Sequence, residues 1–183
     1  MSNPNYYKLE NLTILLIDDR RSMRSFIADV LREIGVGKIL NAESYAEGLA
    51  LLDPPKGMAG MEMEIPPSAD IVMIDWLLGD GESGLDLLRW IRGHASESVK
   101  YMPVIMLSGY SERENIILAR DHGANEFLAK PISIKRILER LLSVVERPRP
   151  FVHTAAYFGP DRRRSNIPFD HEDRRIAKPT EAE

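Results

Sequence analysis

The sequence predicts an α/β domain in which a five-stranded parallel sheet, doubly wound, carries helices on both faces. Between Leu12 and about Glu146, short apolar runs typical of strands alternate five times with segments of helical periodicity, the pattern of βαβ units. Most strand candidates are continuously apolar, as expected for strands covered on both faces. A chain of 183 residues, 44% of them hydrophobic, suffices for one such domain.

Each strand candidate is followed by a segment that favours a helix. The strand candidates are Thr13–Ile17, Lys38–Asn41, Ile71–Ile74, Val104–Leu107 and Glu126–Leu128. Apolar side chains recur at helical spacing in three of the intervening segments, namely Met23, Phe26, Ile27, Val30 and Leu31, then Leu85, Leu88 and Ile91, and finally Ile134, Ile137, Leu138, Leu141 and Leu142. We interpret these stripes as the core-facing sides of helices.

Three segments fall outside this alternation. Residues 1–11 are an N-terminal extension, and residues 54–68, rich in Pro, Gly and Met, are a longer connection than αβ loops usually have. That insertion is either a solvated loop or a partner-docking loop. From residue 147 to residue 183, prolines and charged residues replace the apolar periodicity, which predicts a disordered or docking tail without a core of its own.

The tail contains a short repeat that suggests a linear docking motif. Its two Asp-Arg-Arg units lie twelve residues apart and consist of Asp161, Arg162 and Arg163, and of Asp173, Arg174 and Arg175. Arginine binds anions in a bidentate manner, so these units could recognise an acidic partner. The alternative is a solvated tail without a binding role.

The composition excludes several functions. The absence of cysteine rules out disulfides, thiol catalysis and thiolate metal sites. The longest apolar runs, such as Ile14–Ile17 and Ile71–Ile74, are far shorter than the roughly 20 residues of a membrane-spanning helix, and no basic segment precedes them. We therefore expect a cytoplasmic protein without membrane contact.

The net charge of −4 is divided unevenly along the chain. Residues 1–146 carry 16 basic and 22 acidic side chains, whereas residues 147–183 carry 8 and 6. The mildly basic tail leaves a nucleic-acid-binding regulator as an alternative function. Its six acidic residues argue against a surface that tracks phosphates, so nucleic acid is not the expected partner.

Polar side chains stand where the predicted strands end. They are Asp18, Asp19, Asp75, Ser108 and Lys130. In an open parallel sheet the carboxyl ends of the strands share one edge, so these residues are expected to converge in one site. Three carboxylates, a hydroxyl and an ammonium group suit the transfer of a phosphoryl group to a carboxylate.

Each of these residues has a role in that chemistry. Asp18 and Asp19 offer the hard oxygen ligands that Mg²⁺ prefers, and Asp75 would be the nucleophile. Lys130 would pair with a phosphoryl oxygen and Ser108 would donate a hydrogen bond to another. Taken singly, the Asp18-Asp19 pair and Ser108 could be helix caps and Lys130 a loop lysine, but Asp75 directly after four buried apolar residues requires partners or a function.

Over Leu12 to about Glu146 the sequence resembles the response-regulator receiver family, and most closely its single-domain chemotaxis type. The segments that carry the resemblance are Asp19-Arg-Arg-Ser-Met-Arg, Val30-Leu-Arg-Glu-Ile-Gly, Pro103-Val-Ile-Met-Leu-Ser-Gly, Glu114-Asn-Ile-Ile, Gly123-Ala and Lys130-Pro131. The Gly-Pro-Asp-Arg-Arg-Arg segment that begins at Gly159 also looks like the tails of some other stand-alone regulators.

The resemblance implies a flavodoxin-like sheet of order 2-1-3-4-5. It also implies Mg²⁺ bound by Asp18, Asp19, Asp75 and the backbone carbonyl of Leu77, together with a cis peptide bond before Pro131. Phosphorylation of Asp75 would come from a sensor histidine kinase or a phosphotransfer protein. In that family a hydroxyl and an aromatic residue couple phosphorylation to output, and the matching residues are Ser108 and Phe127. Phe127 could also be a plain core residue.

The sequence departs from the family directly after Asp75. The usual Met-Pro segment is replaced by a segment from Trp76 to Gly84 that has one extra residue and no proline. The positions that flank the hydrolytic water in the family hold the bulky Leu77 and Tyr110. We hypothesise that these two side chains obstruct the water and slow self-dephosphorylation.

We therefore interpret the chain as a stand-alone response regulator that switches its contacts with an unknown downstream protein. A phosphorylation-dependent homodimer is a further expectation. The chain would act as a signalling phosphoacceptor with Mg²⁺-dependent self-phosphorylation and self-dephosphorylation only. An aspartyl phosphatase is disfavoured because Leu77 stands where such enzymes place a second acid. A receiver-like interaction module that works without phosphorylation stays open.

Overall fold

Five parallel strands in the order β2-β1-β3-β4-β5 form the central sheet, as predicted. The strands are β1 Thr13–Ile17, β2 Lys38–Ala42, β3 Ile71–Asp75, β4 Val104–Ser108 and β5 Glu126–Ala129. The computed structural model describes residues 9–53, 69–79, 81–109 and 113–163. The predicted insertion 54–68, Tyr110 and the second Asp-Arg-Arg unit therefore lie outside the described residues, as does most of the N-terminal extension.

Helices cover both faces of the sheet. They are α1 Arg21–Glu33, α2 Tyr45–Leu52, α3 Gly84–Gly93, the short α4 Glu97–Lys100, α5 Arg113–Asp121 and α6 Ile134–Glu146. One core cluster joins the sheet to α1 and α6, and the other joins it to α2, α3, α4 and α5. Alternate residues of each buried strand enter opposite clusters, as Leu15 and Leu16 do in β1.

Four of the five strands extend one residue further at the carboxyl end than the apolar pattern predicts. Strands β3 and β4 include the polar residues Asp75 and Ser108, both of which are buried. Asp75 is paired with Leu107 of β4 in the register of the sheet, so Ser108 lies one residue beyond it. The sheet itself therefore fixes the two side chains at its carboxyl edge.

The proximal part of the tail differs from the sequence prediction of a disordered or docking segment. Residues β6 Phe151–Thr154 and β7 Tyr157–Pro160 form an antiparallel hairpin. Phe151 and Phe158 lie 4.9 and 5.2 Å from the ring of Tyr101, measured between centroids. The aromatic residues bury their surface against the receiver body, which is why the tail needs no core of its own to be ordered.

The hairpin approaches the body closely enough to require glycine on both sides. A Cβ atom on Gly159 would lie 2.7 Å from the Cα atom of Gly123. Gly123 itself has a φ of +90°, a conformation that favours glycine. Arg149 adds hydrogen bonds to the carbonyl oxygens of Asp161 and Asn125, which fasten the hairpin to the start of β5.

Candidate phosphoacceptor site

Asp75 ends strand β3 with 3% of its surface exposed. Its Oδ2 atom lies 2.8 Å from the Nζ atom of Lys130 and 2.9 Å from a terminal nitrogen of Arg20. Its Oδ1 atom accepts a hydrogen bond of 2.9 Å from the backbone N–H of Trp76. The buried carboxylate is thus compensated by two cations and one backbone donor, as an ionised group in this position requires.

Asp18 and Asp19 lie beside it at the end of β1. Asp18 is fully buried, accepts a hydrogen bond of 2.9 Å from the backbone N–H of Arg20, and contacts Lys130 at 3.0 Å, whereas Asp19 is exposed. Ligand atoms of Asp18, Asp19 and Asp75 all lie within 4.8 Å of one another. Three hard oxygen donors at this separation fit a Mg²⁺ ion that keeps several of its waters.

The environment of Asp75 alters its acidity. Burial raises the pKa of this carboxyl above its ordinary range, and the hydrogen bond from Lys130 works against that effect. The negative charge of Asp18 raises the pKa further, while the positive charges of Lys130 and Arg20 lower it. Asp75 is therefore a carboxylate whose charge is disfavoured in the protein alone, which makes an added cation beside it favourable.

Lys130 and Ser108 lie at the carboxyl ends of the last two strands of the sheet. The backbone N–H of Lys130 donates to the carbonyl oxygen of Ser108 at 2.7 Å, which joins the end of β5 to the end of β4. The Lys130 side chain is 7% exposed and Ser108 is fully buried. The peptide bond between Lys130 and Pro131 is cis, as the resemblance implies.

The loop after Asp75 turns back toward the strand end without the proline that is usual in the family. Leu78 donates its backbone N–H to Glu82, and Gly84 donates its backbone N–H to Trp76. A Cβ atom on Gly84 would lie 2.0 Å from the carbonyl oxygen of Asp75, so only glycine fits there. Glycine at this position allows the loop to turn directly into α3.

A pocket of about 310 Å³ opens onto the carboxylates of Asp19 and Asp75. Its lining consists of Asp19, Arg20, Asp75, Leu77 and Gly109. The side chain of Leu77 is 51% exposed at this rim, which is compatible with its predicted position beside a hydrolytic water. The predicted metal contact through the Leu77 carbonyl stays a prediction.

Arg20 is the site residue that the sequence analysis missed. Its Nε atom lies 3.6 Å from Oδ1 of Asp18 and 3.9 Å from Oδ1 of Asp19, in addition to the contact with Asp75. Burial opposes the charge of Arg20, but Asp75 and Asp18 more than offset that effect and raise its pKa. The available signal was a basic residue directly after an acidic pair at a strand end.

Phe127 lies away from the carboxylates, on β5. It is half-buried, packs against one core cluster and lines a groove of about 330 Å³. The groove also exposes Ile116 and Arg120 of α5, together with Arg149 and Arg162 from the tail. Phe127 thus connects the core to a surface, a position compatible with either a switch residue or a core residue.

The first Asp-Arg-Arg unit contacts the chain's own receiver body. Arg162 donates to Asp121 at 2.8 Å, and its guanidinium lies 4.3 Å from the centroid of the Tyr157 ring. Asp161 accepts a hydrogen bond of 3.1 Å from the backbone N–H of Arg163. The bond between Arg162 and Asp121 attaches the tail to the end of α5.

The fold and the site together define a class of protein. A doubly wound sheet with a buried aspartate, two further carboxylates and a lysine at its carboxyl edge is the arrangement of a signalling phosphoacceptor domain, built to receive a phosphoryl group beside a divalent cation. Within the described residues, no helix combines the length and the apolar character needed to cross a bilayer.

Comparison with known proteins agrees with this class. The family model described as the response regulator receiver domain matches residues 14–142, and the chain belongs to this family. Its members are signalling phosphoacceptors of two-component systems and bind Mg²⁺ at an acidic pocket. The match ends before the hairpin and the two Asp-Arg-Arg units, so it does not cover the tail.

The relatives include proteins of bacterial chemotaxis. The chain is 31% identical to the chemotaxis protein CheY-3 of Vibrio cholerae over 138 residues, covering 75% of this chain and 95% of the relative. It is 29% identical to the chemotaxis protein CheY of Pseudomonas aeruginosa over 136 residues, covering 74% and 98%. A receiver domain structure from Clostridium thermocellum matches with a TM-score of 0.59 and 30% identity, covering 74% of this chain and 95% of the other.

Proposed function

We propose that the chain accepts a phosphoryl group on Asp75 from a sensor histidine kinase or a phosphotransfer protein in the cytoplasm, and that it changes its protein contacts as a result. The observation that carries this proposal is the buried Asp75 carboxylate, which offers a ligand atom within 4.8 Å of those of Asp18 and Asp19 and lies 2.8 Å from Lys130. A residue with only a structural role would not need two further acids beside it.

The proposed transfer is a displacement at phosphorus. A carboxylate oxygen of Asp75 attacks the phosphorus of a phosphohistidine, an oxygen–phosphorus bond forms, and the phosphorus–nitrogen bond breaks with its electron pair going to the imidazole. Asp18, Asp19, Asp75 and the Leu77 carbonyl would hold Mg²⁺, which supplies positive charge to the phosphoryl oxygens when it is bound.

Lys130 and Ser108 have separate tasks after the transfer. The ammonium group of Lys130, already beside Asp75, pairs with one phosphoryl oxygen, and the hydroxyl of Ser108 donates to another. The phosphoryl group adds about −1.5 to −2 units of charge to a buried edge of the sheet. Drawing Ser108 toward that charge alters the packing beside Phe127, which lines the groove between α5 and the tail.

The output of this change is a protein contact. The downstream target is either another protein or a second copy of this chain in a phosphorylation-dependent homodimer. A nucleic-acid-binding role for the tail is not favoured, because Arg149 and Arg162 are engaged with groups of the chain itself. A module that works without phosphorylation is not favoured either, because the acidic residues and the lysine of the site are all in place.

The proposal predicts one covalent modification at one residue. The full chain, incubated with Mg²⁺ and acetyl phosphate, should gain the mass of a single phosphoryl group, and the Asp75→Asn variant should gain none. Asp86→Asn is the matched control, since Asp86 is an exposed aspartate on α3 that pairs with Arg89. A mass gain that persists in Asp75→Asn would contradict the assignment of the phosphoacceptor.

A further inference from the structure

Arg20 contacts the same three carboxylates that could hold a metal ion. Its guanidinium lies 2.9 Å from Asp75, 3.6 Å from Asp18 and 3.9 Å from Asp19, measured between nearest charged atoms. These carboxylates offer ligand atoms within 4.8 Å of one another. One side chain thus neutralises the group of acids that the proposed function assigns to Mg²⁺.

The contact with Asp75 occupies the reacting group. Its Oδ2 atom is bonded by both Arg20 and Lys130, and its Oδ1 atom accepts from the N–H of Trp76. The Oδ2 atom, with two donors on its two lone pairs, has to give up one of them before it can bind a metal ion or attack phosphorus. For Oδ2 to take part, either Arg20 or Lys130 must therefore move.

The two cations differ in how firmly they are held. The side chain of Lys130 is 7% exposed and is enclosed between Asp18 and Asp75. The side chain of Arg20 is 52% exposed and belongs to the residue that precedes α1, where it makes no capping hydrogen bond to the helix. Moving Arg20 into solvent exposes little buried surface, so Arg20 is the cation that can leave.

The net charge of the site also favours the departure of Arg20 when a metal ion binds. Three carboxylates and two cations leave the site with one net negative charge. A divalent ion added to that set would make it positive, whereas the same ion with Arg20 withdrawn would make it neutral. Metal binding and Arg20 binding are therefore opposed both by space and by charge.

We propose that Arg20 is a resident cation of the unphosphorylated site, which competes with Mg²⁺ for Asp75 and swings out when Mg²⁺ binds. Arg20 then sets the Mg²⁺ concentration at which Asp75 becomes ready to accept a phosphoryl group. The inference rests on the metal site of the proposed function and adds to it a positioning residue that acts before the transfer.

The test is a magnesium titration of the full chain without any phosphodonor. Trp76 follows Asp75 and is partly buried beside the site, so its fluorescence reports metal binding. Arg20→Met keeps the apolar stem but removes the charge, and Arg21→Met is the control at the neighbouring exposed arginine. We expect Arg20→Met to bind Mg²⁺ about fivefold more tightly than the wild type, the upper range for a half-exposed ion pair, and Arg21→Met to match the wild type.

A second measurement separates competition from a general effect on the site. The Mg²⁺ concentration for half-maximal phosphorylation by acetyl phosphate should fall by the same factor in Arg20→Met and stay at the wild-type value in Arg21→Met. Equal Mg²⁺ affinity in the wild type and Arg20→Met would overturn the inference and leave the proposed function intact. Failure of every variant to bind Mg²⁺ would overturn both.

Discussion

At the scale of the residue, Asp75 combines burial with a pKa above the usual carboxyl range, and this has a consequence for stability. A carboxyl whose pKa is raised in the folded state stabilises the protein below the unfolded pKa of about 3.9 and loses that contribution as the pH rises through the folded pKa. Without metal, the negative charge on Asp75 therefore lowers the stability of the wild type at neutral pH, although the proposed function requires that charge.

The first prediction follows from that sign. In buffer with a chelator, Asp75→Asn should melt at a higher temperature than the wild type at pH 7, because the amide removes a disfavoured buried charge. The difference should shrink as the pH is lowered through the raised pKa of Asp75, because the wild-type carboxyl then becomes protonated. Thermal unfolding across this pH range checks it, and a lower melting temperature for Asp75→Asn at pH 7 would show that the bonds to Lys130 and Arg20 outweigh burial.

Leu77 gives a second prediction at this scale. Its half-exposed side chain lines the rim of the pocket beside Asp75, where it can restrict the approach of water. Leu77→Asn should speed the loss of the phosphoryl group from phosphorylated protein by up to about tenfold, equivalent to ~1.4 kcal/mol in the barrier. Phosphate release after removal of the donor measures this rate. An unchanged rate in Leu77→Asn would refute the obstruction hypothesis, and Leu77→Met controls for side-chain identity.

The polar site residues differ in how well the sequence predicts where they lie. Asp18, Asp75, Ser108 and Lys130 could be placed at one sheet edge because each follows an apolar strand. The direction of Arg20 could not be placed, because a half-exposed arginine turns toward whichever charges the folded sheet assembles near it. Those charges come from β1 and β3, which are far apart in the sequence.

At the scale of the element, the hairpin β6–β7 covers a buried arginine. Arg92 is 6% exposed and donates to the carbonyl oxygens of Gly123, Lys100 and Met102 and to the side-chain oxygen of Asn125. Burial lowers its pKa, and the guanidinium lies 5.1 Å from the centroid of the Phe151 ring. The hairpin therefore shields a charged network that joins α3, α4 and β5.

The hairpin prediction concerns stability. Phe151→Ala should lower the free energy of unfolding by about 3 kcal/mol, because it removes a buried ring and the contact of that ring with the Arg92 guanidinium. His153→Ala, at an exposed position of the same strand, should change stability by less than about 0.5 kcal/mol. Urea unfolding of both variants measures the difference. If truncation after residue 147 leaves the urea midpoint unchanged, the hairpin does not contribute to the stability of the body.

The elements themselves differ in how well the sequence predicts them. The sequence predicted the bounds of the sheet strands to within one residue, since continuous apolar runs between helical segments are typical of buried parallel strands. The hairpin was missed because its strands have four residues each and contain Pro160 and Gly159. The residues that it packs against, Tyr101 and Gly123, lie far from it in the sequence, so no local pattern predicts it.

At the scale of the whole molecule, strands β4 and β5 join the edge of the sheet that carries the pocket beside Asp75 to the groove beside Phe127. Ser108 is paired with Ala129 and Met106 with Phe127 in the register of these strands. The pocket opens at the carboxyl edge of the sheet, and the groove is bounded by α5 and by the tail arginines Arg149 and Arg162. A displacement of Ser108 caused by phosphorylation of Asp75 could therefore reach Phe127 and the groove along the paired strands β4 and β5.

The last prediction tests that connection. Phosphorylation should alter the amide hydrogen exchange of α5 and β5 as well as that of the loop after Asp75, because displacement of Ser108 changes the packing around Phe127. Phe127→Ala should keep the exchange change at the loop and lose it at α5, with Asp75→Asn as the unphosphorylated reference. Exchange changes confined to the loop in the wild type would mean that phosphorylation is not transmitted to the groove, and that the partner contacts the phosphorylated edge directly.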